Sequence, residues 1–159
     1  MAMTGFLQAI SGWPGAAFLQ EHWVAYLIVN AAHILGIGLL LGAILPLDFL
    51  LVRSTRGRDL PILGPFLVRA AATGTALAVT TGLWLFSVKP LEYAENPAFL
   101  FKATLLVLAI CNFALQHRGK HFDAALRSGQ VSVRVRTLAA TSAMLWVSVL
   151  IAGRWIGFV

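Results

Sequence analysis

Apolar and polar positions divide the chain into four long apolar runs separated by short polar segments. The runs cover residues 23–52, about 63–88, 97–117 and 137–159. An α-helix rises about 1.5 Å per residue, so about 20 apolar residues cross a hydrocarbon core about 30 Å thick, and each run is long enough. The pattern predicts an all-α integral membrane protein, a four-transmembrane-helix antiparallel bundle that forms a single membrane domain over residues 1–159.

Short helices are expected outside these spans. Residues 1–20 are too interrupted to cross a membrane, yet their apolar positions make them amphipathic, so we expect two short helices in the membrane interface, joined near Ser11 to Pro14. The same segment has no Lys or Arg, and we expect no signal peptide. A further short helix is expected in the third loop, around Phe122 to Arg127. Pro90 is expected to act as a helix breaker after the second span.

Composition agrees with a membrane location. Hydrophobic residues make up 59% of the chain and charged residues 11%, with a mean hydropathy of +0.83, which excludes a water-soluble domain of this length. The net charge of +6 does not indicate nucleic-acid binding, because the basic residues lie in short loops between apolar runs. Cys111 is the one cysteine, which excludes an internal disulfide, and the three Met residues make a poor copper(I) site.

The basic residues predict the orientation of the bundle. Nine Lys or Arg residues lie in or beside the first and third loops, whereas the N-terminus and the second loop have only Lys89. By the positive-inside rule, both termini then face the periplasm of a bacterial inner membrane, and the lipid bilayer is the partner that this pattern indicates. The nine residues are Arg53, Arg56, Arg58, Arg69, Arg118, Lys120, Arg127, Arg134 and Arg136.

The first span carries a polar stripe. At about 100° per residue, one helical face holds Tyr26, Asn30, His33, Leu40 and Ile44, with Asp48 within about 60° of it. Because polar groups in a membrane usually face a partner or a cofactor, this face is expected to point into the bundle. On the opposite side, Gly38 and Gly42 form a GxxxG pattern, which allows a second helix to approach closely and is compatible with a homo-oligomer.

His33 has two interpretations. It is either a bundle histidine bonded to Asn30, to Tyr26 or to a threonine of another helix, or an axial ligand of a b-type haem. His117 lies about 20 Å too deep to share an iron with His33, which leaves Lys102 or an open position for the second ligand. The sequence therefore leaves the second axial ligand open.

The polarity of this stripe suggests how a haem would be oriented. Tyr26 and Asn30 form a polar mouth above His33, with aliphatic residues below it, and haem propionates would point toward that mouth. Lys102 and Arg154 on neighbouring spans would then neutralise the propionates. Lys102 has two further readings: it snorkels to the interface, or it is buried as a neutral amine that coordinates metal or accepts a proton.

A second polar cluster is expected at the cytoplasmic end. Asp48 is costly alone in an apolar setting, and Arg69 and His117 are the groups able to reach its depth. We predict a pair or triad among these three residues with a structural role.

Four stretches together resemble a family of uncharacterised four-span bacterial inner-membrane proteins, distantly similar to the copper resistance protein D membrane domain and to the HemJ type of protoporphyrinogen oxidase. They are AHILGIGLLLGAILPLDFLL, TGLWLFS, NPAFLFKATLLVLAICN and AGRWIGF. In HemJ-like proteins a first-span histidine and a third-span lysine are thought to serve a haem b and the oxidation of protoporphyrinogen. The resemblance implies that His33 and Lys102 are their equivalents.

Two function classes follow. The first is a membrane b-type cytochrome that binds haem or porphyrin and passes electrons between a quinone or porphyrin and a partner on the outer side. The second is a cofactor-free scaffold or accessory subunit of a larger complex. A solute or metal carrier has less support, because no span is clearly broken at mid-membrane.

Overall fold

A computed structural model describes residues 2–53 and 59–158, and in this part of the chain the secondary structure is entirely helical. The all-α class is therefore confirmed, with four helices long and apolar enough to cross a membrane. In chain order the helices are α1 (Ala2–Ser11), α2 (Pro14–Glu21), α3 (Trp23–Arg53), α4 (Asp59–Val88), α5 (Pro90–Glu95), α6 (Pro97–His117), α7 (His121–Ser128) and α8 (Val133–Trp155), followed by a 3₁₀ turn at Ile156–Phe158.

Proline and capping residues define where several helices begin. Pro90 and Pro97 occupy the first turns of α5 and α6, where a missing N–H costs nothing. Pro90, expected to break a helix, thus also starts one. The Asn96 side chain accepts a hydrogen bond from the Phe99 N–H at 3.0 Å and caps α6. Ser132 caps α8 through the Val135 N–H at 3.4 Å, so α8 begins four residues before the predicted start at residue 137.

The long helices form an antiparallel bundle in which α3 is central. It packs most extensively on α4 and also on α8, and α8 packs on α6, whereas the backbones of α4 and α6 lie apart and these two helices meet through the rings of Phe86 and Phe99. We call the end of the bundle that holds the start of α3 and the end of α8 the terminal end. The other end, with the connections before α4 and around α7, is the loop end.

Glycines allow the backbones of α3 and α4 to touch. A Cβ atom at Gly36 would lie 2.7 Å from the Ala78 nitrogen, and a Cβ at Gly74 would overlap the Leu40 backbone. The predicted GxxxG pair behaves differently, because Gly38 and Gly42 are exposed with nothing within 4 Å of a Cβ at either position. Close packing within the chain therefore uses Gly36, and the Gly38 face remains a prediction for contact with another chain.

Both ends of the bundle are covered by short helices. At the loop end, Phe122 and Ala125 of α7 are buried with residues of α3, α4 and α8, among them Leu51, Leu60 and Val135. At the terminal end, α1 and α2 are the two short helices predicted for residues 1–20. They are held by hydrogen bonds from Trp13 Nε1 to Ser87 Oγ (3.0 Å), from Trp84 Nε1 to the Gly15 oxygen (2.9 Å) and from Gln20 Nε2 to the Val88 oxygen (2.9 Å).

Candidate functional site

The orientation of His33 is fixed by α4. Its Nδ1 atom lies 3.0 Å from the Ala78 carbonyl oxygen and 3.1 Å from Thr81 Oγ1. A carbonyl oxygen can only accept, so Nδ1 carries the hydrogen and donates it. Nε2 is then left with its lone pair and has no hydrogen-bond partner among the described residues. Histidines that bind metals are commonly oriented in this way by a carbonyl on the second nitrogen.

Gly82 makes room for the imidazole ring. A Cβ at this position would lie 2.9 Å from His33 Cε1, closer than carbon atoms pack without displacement. Thr81, the residue before it, donates its own hydroxyl hydrogen to the Leu77 oxygen at 2.6 Å and so presents its oxygen to Nδ1 as an acceptor. His33 thus bonds a threonine of another helix, which is one of the partners expected from the sequence, and it does not bond Tyr26 or Asn30.

Lys102 of α6 extends against α8 in the same half of the bundle as His33. Its Nζ atom is 3.4 Å from the position of a Cβ on Gly153, so the side chain runs along α8 where that helix has no side chain. The ammonium group is within electrostatic range of the imidazole, and Nζ has no hydrogen-bond partner in the described residues. The structure thus brings His33 and Lys102 together in the terminal half of the bundle, from α3 and α6, two helices that share no substantial direct contact.

Aromatic residues cover this site on the terminal side. Phe86 of α4 stacks on Phe99 of α6 with ring centroids 5.5 Å apart, and Tyr93 lies 5.3 Å from Phe99. Tyr93 also hydrogen-bonds Tyr26. Burial, and to a smaller extent Tyr26, raises the pKa of the Tyr93 phenol, which therefore stays neutral as a hydrogen-bonding group.

Trp146 of α8 lies two helical turns before Gly153, on the loop-end side of this region. It packs against the cluster of Leu40, Ala43 and Ala71. On the terminal side, the stacked rings of Phe86 and Phe99 join α4 to α6. The region around His33 and Lys102 lies between these two groups of aromatic residues along the bundle. We call this region the His33–Lys102 site.

Two of the predicted site residues lie apart from it. Asn30 is exposed on α3. Arg154 is also exposed, and its guanidinium lies 4.9 Å from the centre of the Phe158 ring. Arg154 directly follows Gly153, which contacts Lys102, but at about 100° per residue its side chain leaves the helix in a different direction. The structure therefore brings His33 within electrostatic range of Lys102, whereas Asn30 and Arg154 face the surroundings and Tyr26 packs nearer the terminal end against Leu19 and Leu85.

The expected cluster of Asp48, Arg69 and His117 does not form. Asp48 is only 3% exposed, and its carboxyl accepts a hydrogen bond from the Ser142 hydroxyl of α8. Arg69 and His117 are exposed, and His117 Nδ1 bonds the Phe113 oxygen of its own helix at 2.9 Å. The described residues contain no ion pair that includes Asp48. Arg69 and His117 stay on the outer surface of the bundle, because burying a charged side chain beside Asp48 would cost more free energy than leaving it exposed.

Ser142 and the Ala78 carbonyl are hydrogen-bonding partners of Asp48 and His33 that the sequence does not reveal. Ser142 is one of several hydroxyl residues in its span, and a backbone carbonyl has no sequence signature at all. Thr81 could be found from the sequence as a candidate partner, because it is one of the threonines of the second span. Its position next to Gly82, which contacts His33, is known only from the structure. No group of three His, Cys, Asp or Glu side chains suited to a bare metal ion occurs in residues 2–53 and 59–158. A metal at His33 would therefore need most of its ligands from a cofactor.

Comparisons of the chain with protein families, with curated proteins and with solved structures gave no match. The fold and the site define a four-helix membrane protein with an oriented histidine and a lysine between its helices.

Proposed function

We propose that the chain is a membrane-embedded protein that binds a b-type haem or porphyrin and exchanges electrons with a quinone or porphyrin. The observation that supports it is the His33 hydrogen bond to the Ala78 carbonyl, which leaves Nε2 as an electron-pair donor within a helix bundle. The resemblance to HemJ-type oxidases implies the same pair, His33 and Lys102.

Each residue of the site has a role in this proposal. His33 would hold a haem iron through Nε2, and the Ala78 carbonyl keeps the ring in the tautomer that leaves Nε2 free to do so. Lys102 would either neutralise a propionate or, as a neutral amine, serve as a second iron ligand. Tyr26 and Asn30 lie nearer the terminal end, where propionates would be solvated, and Arg154 is the further cation at that end. A bound haem would supply one-electron transfer.

The proposed location is the bacterial inner membrane with both termini in the periplasm. Seven of the nine loop cations lie within the described residues, all at the loop end, and Arg56 and Arg58 lie outside them. A homo-oligomer or a larger membrane complex is part of the proposal, through the exposed face with Gly38 and Gly42.

The test is haem retention. Purified from cells supplied with excess haem, the protein should show a Soret band that shifts on reduction with dithionite. His33→Ala should abolish the band. His22→Ala is the matched control, because His22 is exposed and bonds only its own helix, through the Phe18 oxygen, and it should keep the full haem content. Lys102→Met should abolish the band if the lysine is axial, and otherwise weaken retention without changing the iron spin state.

A second candidate is the cofactor-free scaffold or accessory subunit. It is favoured by the same hydrogen bonds from His33 to Ala78 and Thr81, because they join α3 to α4 and would serve the fold alone. A folded wild-type protein that never acquires haem, or a His33→Ala protein with full haem content, would replace the first proposal with this one.

A further inference from the structure

Asp48 carries the one buried carboxyl group among the residues that the structure describes. Its side chain is 3% exposed, whereas the five other acidic residues, Glu21, Asp59, Glu92, Glu95 and Asp123, are all exposed. One carboxyl oxygen is bonded by the buried Ser142 hydroxyl, and the other, Oδ2, is buried without any hydrogen-bond partner. This arrangement leaves an acceptor inside the bundle that no donor of residues 2–53 and 59–158 satisfies.

No Lys, Arg or His side chain of residues 2–53 and 59–158 forms an ion pair with this carboxyl group. The charged and titratable residues on the helices packed around it are exposed or have other contacts. An isolated carboxylate in a membrane protein interior is far more costly than a neutral carboxylic acid. These surrounding residues are Arg53 (over the Phe49 ring) on α3, exposed Asp59 and Arg69 on α4, exposed His117 on α6, exposed His121, Asp123 and Arg127 on α7, and Arg134 (bonded to the Leu115 oxygen) and half-buried Arg136 on α8.

A line of buried polar groups connects the loop end to this position. Gln116 and Asn112 lie one turn apart on α6, and their amide groups donate to the Val135 oxygen at 3.5 Å and to the Leu138 oxygen at 3.1 Å on α8. Ser142 is one turn further along α8. Gln116 Oε1 is also buried without a partner. Asp48 Oδ2 and Gln116 Oε1 both accept hydrogen bonds. What this line of polar groups lacks is therefore a hydrogen-bond donor, and a proton bound to the carboxyl group would supply one.

We propose that Asp48 is a proton-binding site, loaded from the loop end along the polar line of Gln116, Asn112 and Ser142. The ligand is a proton, which adds to the carboxylate to give the neutral acid and leaves again by the same route. The site lies in the opposite half of the bundle from His33, fifteen residues or about 22 Å away along α3, and does not depend on haem.

Infrared spectroscopy of the protein in lipid nanodiscs at neutral pH tests the protonated state. The wild type should show the C=O stretching band of a protonated carboxylic acid. Asp48→Asn should remove it, and Asp59→Asn, a change at an exposed position, should leave it intact. Should Asp48→Asn fail to fold, aspartate labelled with ¹³C should shift the band in the wild type and labelled glutamate should not. A spectrum with carboxylate bands alone would overturn the proposal in favour of a bound cation or an ionised acid.

Exchange into D₂O tests the route. Asn112→Leu and Gln116→Leu should slow the deuterium shift of the Asp48 band severalfold, because each removes a polar group between the loop end and the carboxyl. Cys111→Leu is the matched control, since Cys111 is an exposed neighbour on α6 and should leave the rate unchanged. Equal rates in all three variants and the wild type would overturn the loading route.

Discussion

At the scale of single residues, three histidines differ in what their Nδ1 atoms contact. His22 bonds the Phe18 oxygen at 3.1 Å and His117 bonds the Phe113 oxygen at 2.9 Å, each one turn back on its own segment. His33 instead bonds across to α4. Its ring orientation therefore depends on tertiary packing, and this is the property that a binding site for a rigid cofactor needs.

The Thr81 hydroxyl should contribute measurably to this orientation. Thr81→Val removes a buried hydrogen-bonding group that contacts both His33 Nδ1 and the Leu77 oxygen, and we expect the free energy of unfolding in detergent to fall by about 1 kcal/mol. Haem retention, where present, should weaken with it. Thr80→Val, an exposed neighbour, should have no comparable effect. An equal loss of stability in both variants would mean that His33 gains nothing from Thr81.

The sequence predicts the position of His33 better than that of its partners. A histidine within an apolar run must face the bundle, and helix periodicity places Lys102 at a matching depth. The Asp48 partner could not be predicted in the same way. The fourth span is apolar on nearly every face, with hydroxyl residues scattered among them. Its pattern therefore does not indicate that the face with Ser142 points toward α3. Charge alone favoured Arg69 and His117, and both remain exposed.

At the scale of helices, backbone contact between α3 and α4 is the closest packing in the described structure. Gly74 lies against the Leu40 backbone and Gly36 against Ala78, the residue whose carbonyl holds His33. Small residues at such contacts allow membrane helices to gain packing energy where the hydrophobic effect between helices is absent. The α3–α4 pair is thus the frame on which the His33–Lys102 site depends.

Substitution of Gly74 tests this contact. In Gly74→Ala the added methyl group overlaps the Leu40 backbone, which cannot move as a side chain can, and we expect a loss of about 1–3 kcal/mol in unfolding free energy. Gly42→Ala is the matched control, because a Cβ there has nothing within 4 Å and alanine favours a helix by up to about 1 kcal/mol. Thermal unfolding in detergent compares the two. A Gly74→Ala protein as stable as Gly42→Ala would contradict the packing described.

The sequence predicts the ends of a helix well where they coincide with the ends of an apolar run. It predicts them less well where capping residues and proline extend the helix beyond the run. The spans at Trp23–Arg53 and Pro97–His117 agree closely with the apolar runs. Two other helices begin earlier than expected, α4 at Asp59 and α8 at Val133. In α4, Pro61 lies in the first turn, where proline is tolerated, so the helix includes polar residues before the apolar run. In α8, the Ser132 cap starts the helix within the polar residues that precede the run.

At the scale of the whole molecule, the two proposed sites occupy opposite halves of the bundle. The His33–Lys102 site lies toward the terminal end beneath the aromatic residues Phe86, Tyr93 and Phe99. Asp48 lies toward the loop end behind a core that includes Leu51 and Phe122. If the loop end faces the cytoplasm, the first site as proposed would exchange electrons near the periplasm and the second would take up protons from the cytoplasm. The orientation of the bundle therefore determines on which side of the membrane each proposed site would act.

Cysteine accessibility in intact cells measures this orientation. In a Cys111→Ser background, Glu92→Cys on α5 and Ser128→Cys on α7 place single exposed thiols at the terminal and loop ends respectively. The excess of Lys and Arg at the loop end predicts that this end is retained in the cytoplasm. A membrane-impermeant maleimide should therefore label position 92 in intact cells and position 128 only after lysis, which serves as the control for thiol reactivity. Labelling of position 128 alone before lysis would reverse the topology, and would place His33 and Lys102 on the cytoplasmic side and the proton entry of Asp48 on the periplasmic side.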